Sequence, residues 1–299
     1  MRIAIAGFTG RPPEFRDDEL LVERLAELGV EAIAPAWDDP SVDWGAFELV
    51  VARSPWDYTW RRDEFLTWAE RIGDRLENAP GVIRWNSDKH YLADLAEAGV
   101  PVVATGYVEP GEAAPPVESE IVVKPTISGG ARDTGRFGPE SAATARELIA
   151  RITGAGRTAM IQPYLESVEA SGETAVIMVA GEVSHVLHKA ALLSPDEIAP
   201  VRTGDALGVA EVMYDPELVR AGAATESEIG LARSVIGAVR DRFGHAPLCA
   251  RVDMLQAADG TPVLLELEAI EPNLYFDQCP EAADVLAAAI RERASRPTR

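Results

Sequence analysis

An α/β fold of two or three compact lobes is predicted, with a parallel, doubly wound first portion, and three observations predict it. Short apolar runs alternate with helical periodicity through the first quarter of the chain. Later segments change to strand pairs joined by tight turns, most clearly at Asp259-Gly260. A length of 299 residues is too great for one ordinary core. Composition narrows the function classes. Apolar residues make up 47% and charged residues 26%, ordinary for a globular protein, while the net charge of -21 argues against a nucleic-acid or anionic-membrane partner. No apolar run approaches the length of a membrane span, and MRIAIAGFTG is too short for a secretory signal. Cys249 and Cys279 form no CxxC pair, which fits a reducing cytoplasm and speaks against zinc. The expected partner is a small molecule; homo-oligomerisation stays open.

Each element follows in order. Ile3 to Gly7 is a buried strand, and from Asp17 the residues Leu20, Leu21, Leu25 and Leu28 recur at helical spacing up to a capping Gly29. Glu48 to Ala52 is a second strand, followed by the loop Arg53 to Tyr58 and a helix with Phe65, Trp68, Ile72 and Leu76 on one face. A composition break at Asn78-Ala-Pro-Gly81 precedes a short helix capped by Asn86 or Ser87, which carries Lys89 and ends at Gly99. Strands are expected over Val100 to Val108, Ile121 to Val123 and Ala159 to Leu165, with a glycine-rich loop from Ser128 to Gly135 and a helix from about Ser141 to Ile152. A hairpin turns at Ala180-Gly181, a polar loop covers Leu193 to Met213, and a helix spans Glu226 to Phe243. The hairpin 248–256/262–268 comes next, then a helix with Val285, Leu286, Ala289 and Ile290 inward. The domain limits expected are 1–85, 86–168 and 169–299.

The last hairpin carries the chemistry. A two-residue turn at Asp259-Gly260, or a four-residue loop centred on it, sets Asp253 opposite Glu266 and Arg251 opposite Glu268. All four side chains then share one face, with Val252, Met254, Leu265 and Leu267 on the other. Like charges about 4 Å apart repel by roughly 4 kcal/mol at an effective dielectric near 20. A sheet does not settle in that register unless a cation or a raised pKa relieves the repulsion. Asp253, Glu266 and Glu268 are hard oxygen donors, suited to magnesium that also holds phosphates. The plainer alternative is a solvated acidic face. Lys124 ends an apolar strand, where its ammonium emerges at the sheet's mouth; edge protection is the alternative. Ser128, Gly129 and Gly130 offer backbone amides to phosphates.

In this order, the helix lysine, the strand lysine, the glycine loop, a hinge strand and the Arg-x-Asp and Glu-x-Glu strands resemble the ATP-grasp ligases over roughly Asn86 to Asn273. The resemblance implies an ATP-grasp fold, with a substrate-side domain ahead of two lobes that clamp ATP. It implies that Lys89 and Lys124 contact phosphates, Gln162 reads the adenine amino group with the backbone of Tyr164 and Leu165, and Glu169 binds the ribose. It places magnesium on Asp253, Glu266 and Glu268 and a transferring phosphoryl group on Arg251, with Lys189 as a further contact. Many relatives carry Asn where Glu268 stands. Across the whole chain the similarity is to the ligases that cyclise O-ureido-D-serine to D-cycloserine, which implies that substrate and antibiotic biosynthesis.

The expected reaction is attack of a carboxylate on the γ-phosphate of ATP, then displacement of phosphate from the acyl phosphate by nitrogen, under the glycine loop and the 193–213 loop as lids. Arg11, Ser54, Trp56, Asp57, Tyr58 and Asn273 are the candidate substrate residues, although Trp56 and Tyr58 serve equally well as packing between lobes. Two rival readings remain: a ligase joining two separate substrates, and a nucleotide-binding protein without turnover.

Overall fold

The computed structural model describes residues 1–10, 15–193, 195 and 218–296. The first sheet is parallel, in the order β2-β1-β3-β4. It is built from β1 (Arg2–Gly7), α1 (Asp17–Glu27), β2 (Glu31–Ile33), β3 (Leu49–Ser54), α2 (Arg62–Ile72) and β4 (Leu76–Glu77). Asp17, Asp18 and Glu19 fill the first turn of α1, where acids suit the helix dipole. Arg53 and Ser54, expected in a loop, still belong to β3, and Trp56–Trp60 winds as a 3-10 turn. Leu76 does not share the face of Phe65, Trp68 and Ile72. Gly73 ends the helix at a φ of 64°, and the chain leaves as β4.

Next come α3 (Pro80–Asn86) and α4 (Tyr91–Glu97), so Lys89 lies in the turn between two short helices rather than within one. Proline at the first position of α3 starts that helix early. The second sheet is antiparallel, in the order β5-β8-β6-β7. It comprises β5 (Gly106–Val108), β6 (Ile121–Pro125), β7 (Gly135–Phe137), α5 (Ala142–Gly154) and β8 (Ala159–Pro163). Leu148, Ile149 and Ile152 of α5 cover Val123 and Phe137. The strand expected from Val100 is shorter, because Val102 bridges Leu264 of the third sheet instead.

The third sheet, ordered β11-β10-β9-β12-β13, follows the short α6 (Ser167–Ser171). Its strands are β9 (Glu173–Val179), β10 (Glu182–Lys189), β11 (Val219–Gly222), β12 (Cys249–Gln256) and β13 (Pro262–Glu268). Between β11 and β12, α7 (Glu226–Phe243) has the expected limits, set by a Thr225–Glu228 capping box and by left-handed Gly244. The final α8 (Glu281–Ala294) buries Leu286 and Ile290 in a core shared with α1, β1 and β9. Val285, expected inward, is 46% exposed, because Ala282, Ala283 and Ala287 complete the inward stripe. Of the 193–213 loop, only Leu193 and Pro195 fall among the described residues. No described helix is long and apolar enough to cross a membrane.

Candidate active site

The acidic hairpin reaches its register by an unexpected route. Ala257 N donates to Thr261 O and Gly260 sits at a φ of 81°, so the turn holds three residues, not two. Met254, Leu255 and Gln256 therefore pair one position off the expected register. A bulge at Leu265 restores it, and Asp253 faces Glu266 as Arg251 faces Glu268. Leu264 takes the core position expected of Leu265, which instead lines the cleft.

The cleft, with about 210 Å³ of free volume, lies between the second and third sheets. Each hairpin acid there meets a cation. Lys89 Nζ stands 3.1 Å and Lys124 Nζ 3.7 Å from Glu266. Arg251 Nε is 2.9 Å and Lys189 Nζ 3.1 Å from Asp253, and Arg251 Nη2 is 2.5 Å from Glu268. Lys189 also pairs with Glu173. These side-chain cations offset the repulsion within the hairpin. Burial raises the Asp253 carboxyl, but Arg251 and Lys189 outweigh it and hold the group low. Glu266 is likewise held low against burial by Lys89 and Lys124. Burial wins at Glu268, which is raised, and at Glu173, pushed up to about 7 despite Lys189.

Polar straps aim Lys89. Asn86 donates to Leu267 O and accepts from Ala269 N, and Tyr91 OH accepts from Leu267 N, which pins the α3–α4 turn on β13. Lys89 Nζ then donates to Ser128 O at 2.8 Å and fastens the glycine loop. Ser128, Gly129, Gly130, Gln162, Tyr164 and Leu165 all line the cleft as expected. Gln162 Nε2 donates to Thr105 Oγ1 at 3.0 Å. Glu169 does not line it. Arg136 at 2.6 Å and the Tyr164 hydroxyl hold its carboxylate outside, and Glu173 is the acid that enters the cleft from this side.

Around Trp56 and Asn273 a second cavity of about 130 Å³ shares Gly129, Gly130, Lys189, Arg251 and Glu268 with the first. Ser54, Asp57 and Tyr58 are not among its walls. Ser54 donates to Asp18 and Asp57 accepts from Trp37 Nε1 at 2.7 Å, so both point into the domain, whereas Tyr58 packs its ring in the first sheet's core and bonds through its hydroxyl to Glu271. Arg11 lies outside the described residues. Arg132, Glu271 and Tyr275 line the cavity without having been read from the sequence. Arg132 crosses to the first domain, donating to Thr59 Oγ1 at 2.6 Å and stacking on Trp60 at 4.2 Å. Burial, then Glu268, pushes Glu271 up to about 8.

Among the described residues no three acids, histidines or cysteines converge as a ready-made metal cage. The donors fit magnesium all the same, because that ion takes one or two carboxylates and completes its shell with water and phosphate oxygens.

A family model described as the N-terminal domain of D-cycloserine synthetase DcsG matches residues 3–78. The cycloserine biosynthesis protein DcsG of Streptomyces lavendulae is 37% identical over 287 residues, 91% of this chain and 92% of that protein. The crystal structure of D-cycloserine synthetase DcsG superposes with a TM-score of 0.87 at 35% identity, covering 99% of this chain and 100% of that one. The ATP-grasp ligase PsnB, solved with its minimal precursor, Mg and ADP, gives 0.62 at 17% identity over 98% of each chain, a likeness of fold. With that identity spread along nearly its whole length, the chain belongs to the D-cycloserine synthetase DcsG family and has the ATP-grasp fold.

Proposed function

We propose that this protein is an ATP-dependent cyclo-ligase that converts O-ureido-D-serine, ATP and water to D-cycloserine, ADP, phosphate, ammonia and carbon dioxide. The observation that carries this reading is a cation-lined cleft opening, past Arg251, Lys189 and Glu268, into a smaller cavity walled by Trp56 and Asn273. One end suits a nucleotide and the other an amino-acid-sized molecule, with the charges where the two meet. The proposed lobes are 1–85, 86–168 and 169–299, with ATP between the second and third.

Lys89 and Lys124 take the phosphates, and the glycine loop closes over them. Gln162, with its amide nitrogen committed to Thr105, accepts from the adenine amino group beside the backbone of Tyr164 and Leu165. Glu173 enters the cleft at its phosphate end, beside Lys189 and Asp253. Asp253, Glu266 and Glu268 would hold magnesium, which neutralises charge on the phosphates when bound. The substrate carboxylate attacks the γ-phosphorus, the bond to ADP breaks, and an acyl phosphate forms. The oxygen-linked ureido nitrogen then attacks the acyl carbon, phosphate leaves, and water removes the carbamoyl group as carbon dioxide and ammonia. Arg251 and Lys189 stabilise charge on the transferring group from fixed positions. Since both reacting groups belong to one molecule, holding them close supplies much of the rate.

The test is ATP with O-ureido-D-serine as the sole carboxylate, ADP and product mass being recorded together. One cyclic product per ADP is expected. A linear product that requires an added amine supports two-substrate ligation instead, and nucleotide binding without ADP release leaves a binder.

A further inference from the structure

Among the described residues two acids line the smaller cavity, and of these Glu268 has a cation partner and Glu271 does not. Glu268 pairs with Arg251, whose remaining contacts run to Asp253 and to Asn273 O. Lys189 is taken by Glu173 and Asp253. Among the described residues, Glu271 forms no ion pair. It accepts a hydrogen bond from the Tyr58 hydroxyl, a neutral donor rooted in the first domain's core. Charge in a partly enclosed site requires a partner, and among the described residues Lys89 favours the Glu271 charge without forming an ion pair with it.

The carboxylate is also held in place. Trp56 Nε1 donates to Glu271 O at 3.3 Å and buried Arg53 donates to Pro272 O at 2.9 Å. One residue on, Asn273 Oδ1 accepts from Tyr275 N, and Asn273 O accepts from Arg251. The segment 271–275 is therefore anchored to the first domain at one end and to the phosphate-side arginine at the other. A carboxyl so fixed, kept protonated by burial and Glu268 until a cation arrives, in the cavity that also presents Arg251 and Lys189, matches a zwitterion: carboxylate toward the cations, ammonium toward the acid.

We propose that Glu271 binds the α-ammonium group of an amino-acid substrate and selects zwitterions over plain carboxylates. The proposal rests on the reaction given above, and specifies which end of the substrate each wall receives.

The experiment compares O-ureido-D-serine with its des-amino analogue, 3-(ureidooxy)propanoate, as substrates of the full chain and of E271Q and E271D, by ADP release. For E271Q, KM for the amino substrate should rise about 100-fold, the loss of one charge-assisted contact. KM for ATP and for the analogue should stay within about twofold, so the preference for the amino group collapses. E271D, which keeps the charge, should retain most of that preference. Equal losses on both substrates, or an unchanged preference in E271Q, overturn the assignment. A thermal melt accompanies each variant, and an unfolded E271Q leaves the decision to E271D, whose preference must then exceed tenfold. Wild-type protein that releases no ADP with O-ureido-D-serine sinks the reaction and this proposal together; wild-type turnover with an unchanged preference in E271Q sinks this one alone.

Discussion

The two halves of the proposed active site, one for phosphate and one for substrate, are built on different principles. On the phosphate side, Asp253, Glu266 and Glu268 each meet a lysine or arginine, and those cations come from four separate segments. On the substrate side, Glu271 forms no ion pair among the described residues, and it sits on a segment whose carbonyls hang from Arg53 and Trp56. The first half balances its charge before any ligand arrives. The second holds a carboxyl whose charge burial disfavours until a ligand brings a cation. Pairing by many cations suits a site that must release one anion and accept another, whereas a lone acid suits selection of one chemical feature.

Breaking the balanced half should have the largest effect. Asp253→Ala or Glu266→Ala should lower ADP release by at least about 1000-fold, since both remove charge placed for phosphoryl transfer. The circular dichroism spectrum should be retained; wild-type turnover in either variant refutes the metal assignment. Next comes Gly172→Ala. Gly172 has a φ of 70°, and a Cβ there would lie 2.5 Å from Lys189 O. We expect a loss of about 3 kcal/mol in urea unfolding, with activity falling in parallel as Lys189 shifts from Asp253. A fully stable variant would show that this end of β10 is not fixed.

Asp17 sharpens the comparison from the first domain, where burial pushes its carboxyl up to about 6 from 3.8. Its folded form holds the proton more tightly than the unfolded chain. That contribution to stability is complete below the unfolded value and disappears as pH rises through the folded one. Between about pH 4 and 7, Asp17→Asn should therefore gain up to about 3 kcal/mol on wild type. Parallel stability curves would remove Asp17 from this account. The smallest effect concerns the bridge between halves. Arg132→Ala cuts the glycine loop from Thr59 and Trp60 and should raise ATP hydrolysis per product formed by about tenfold. Unchanged coupling would mean that the loop closes without this contact.

What could be read from sequence follows the same division. The phosphate half is carried by strands whose alternation puts Arg251 and Asp253, or Glu266 and Glu268, on one face whatever the fold around them. Even so, the register rested on a turn one residue too short and a bulge not foreseen, two departures that cancel. At β9 and β10 no such cancellation helped. The turn at Ala180-Gly181 alone would set Glu173 opposite His188, and an irregularity between Val183 and His185 brings Lys189 there instead. Glu173 escapes the sequence reading for that reason, while Glu169 enters it through the family resemblance, and Arg136 and Tyr164 hold its carboxylate outside the cleft. The substrate half is assembled from the loop at Trp56, the glycine loop and the segment after β13, and no local pattern joins them. Ser54 and Asp57 show the limit of reading a loop by composition, since both turn inward once β3 runs on to Ser54.

Leu265 has a mechanical meaning for the hairpin that carries the acids. A spare residue in one strand acts as a sliding joint: the outer rungs are offset by one position while the inner rungs stay clamped between β9 and β13. The hairpin tip can therefore change in length, by insertion or loss of a residue at 258–260, with the slack taken up at the joint. Variation in this solvent-facing corner stays disconnected from the alignment of the reacting charges.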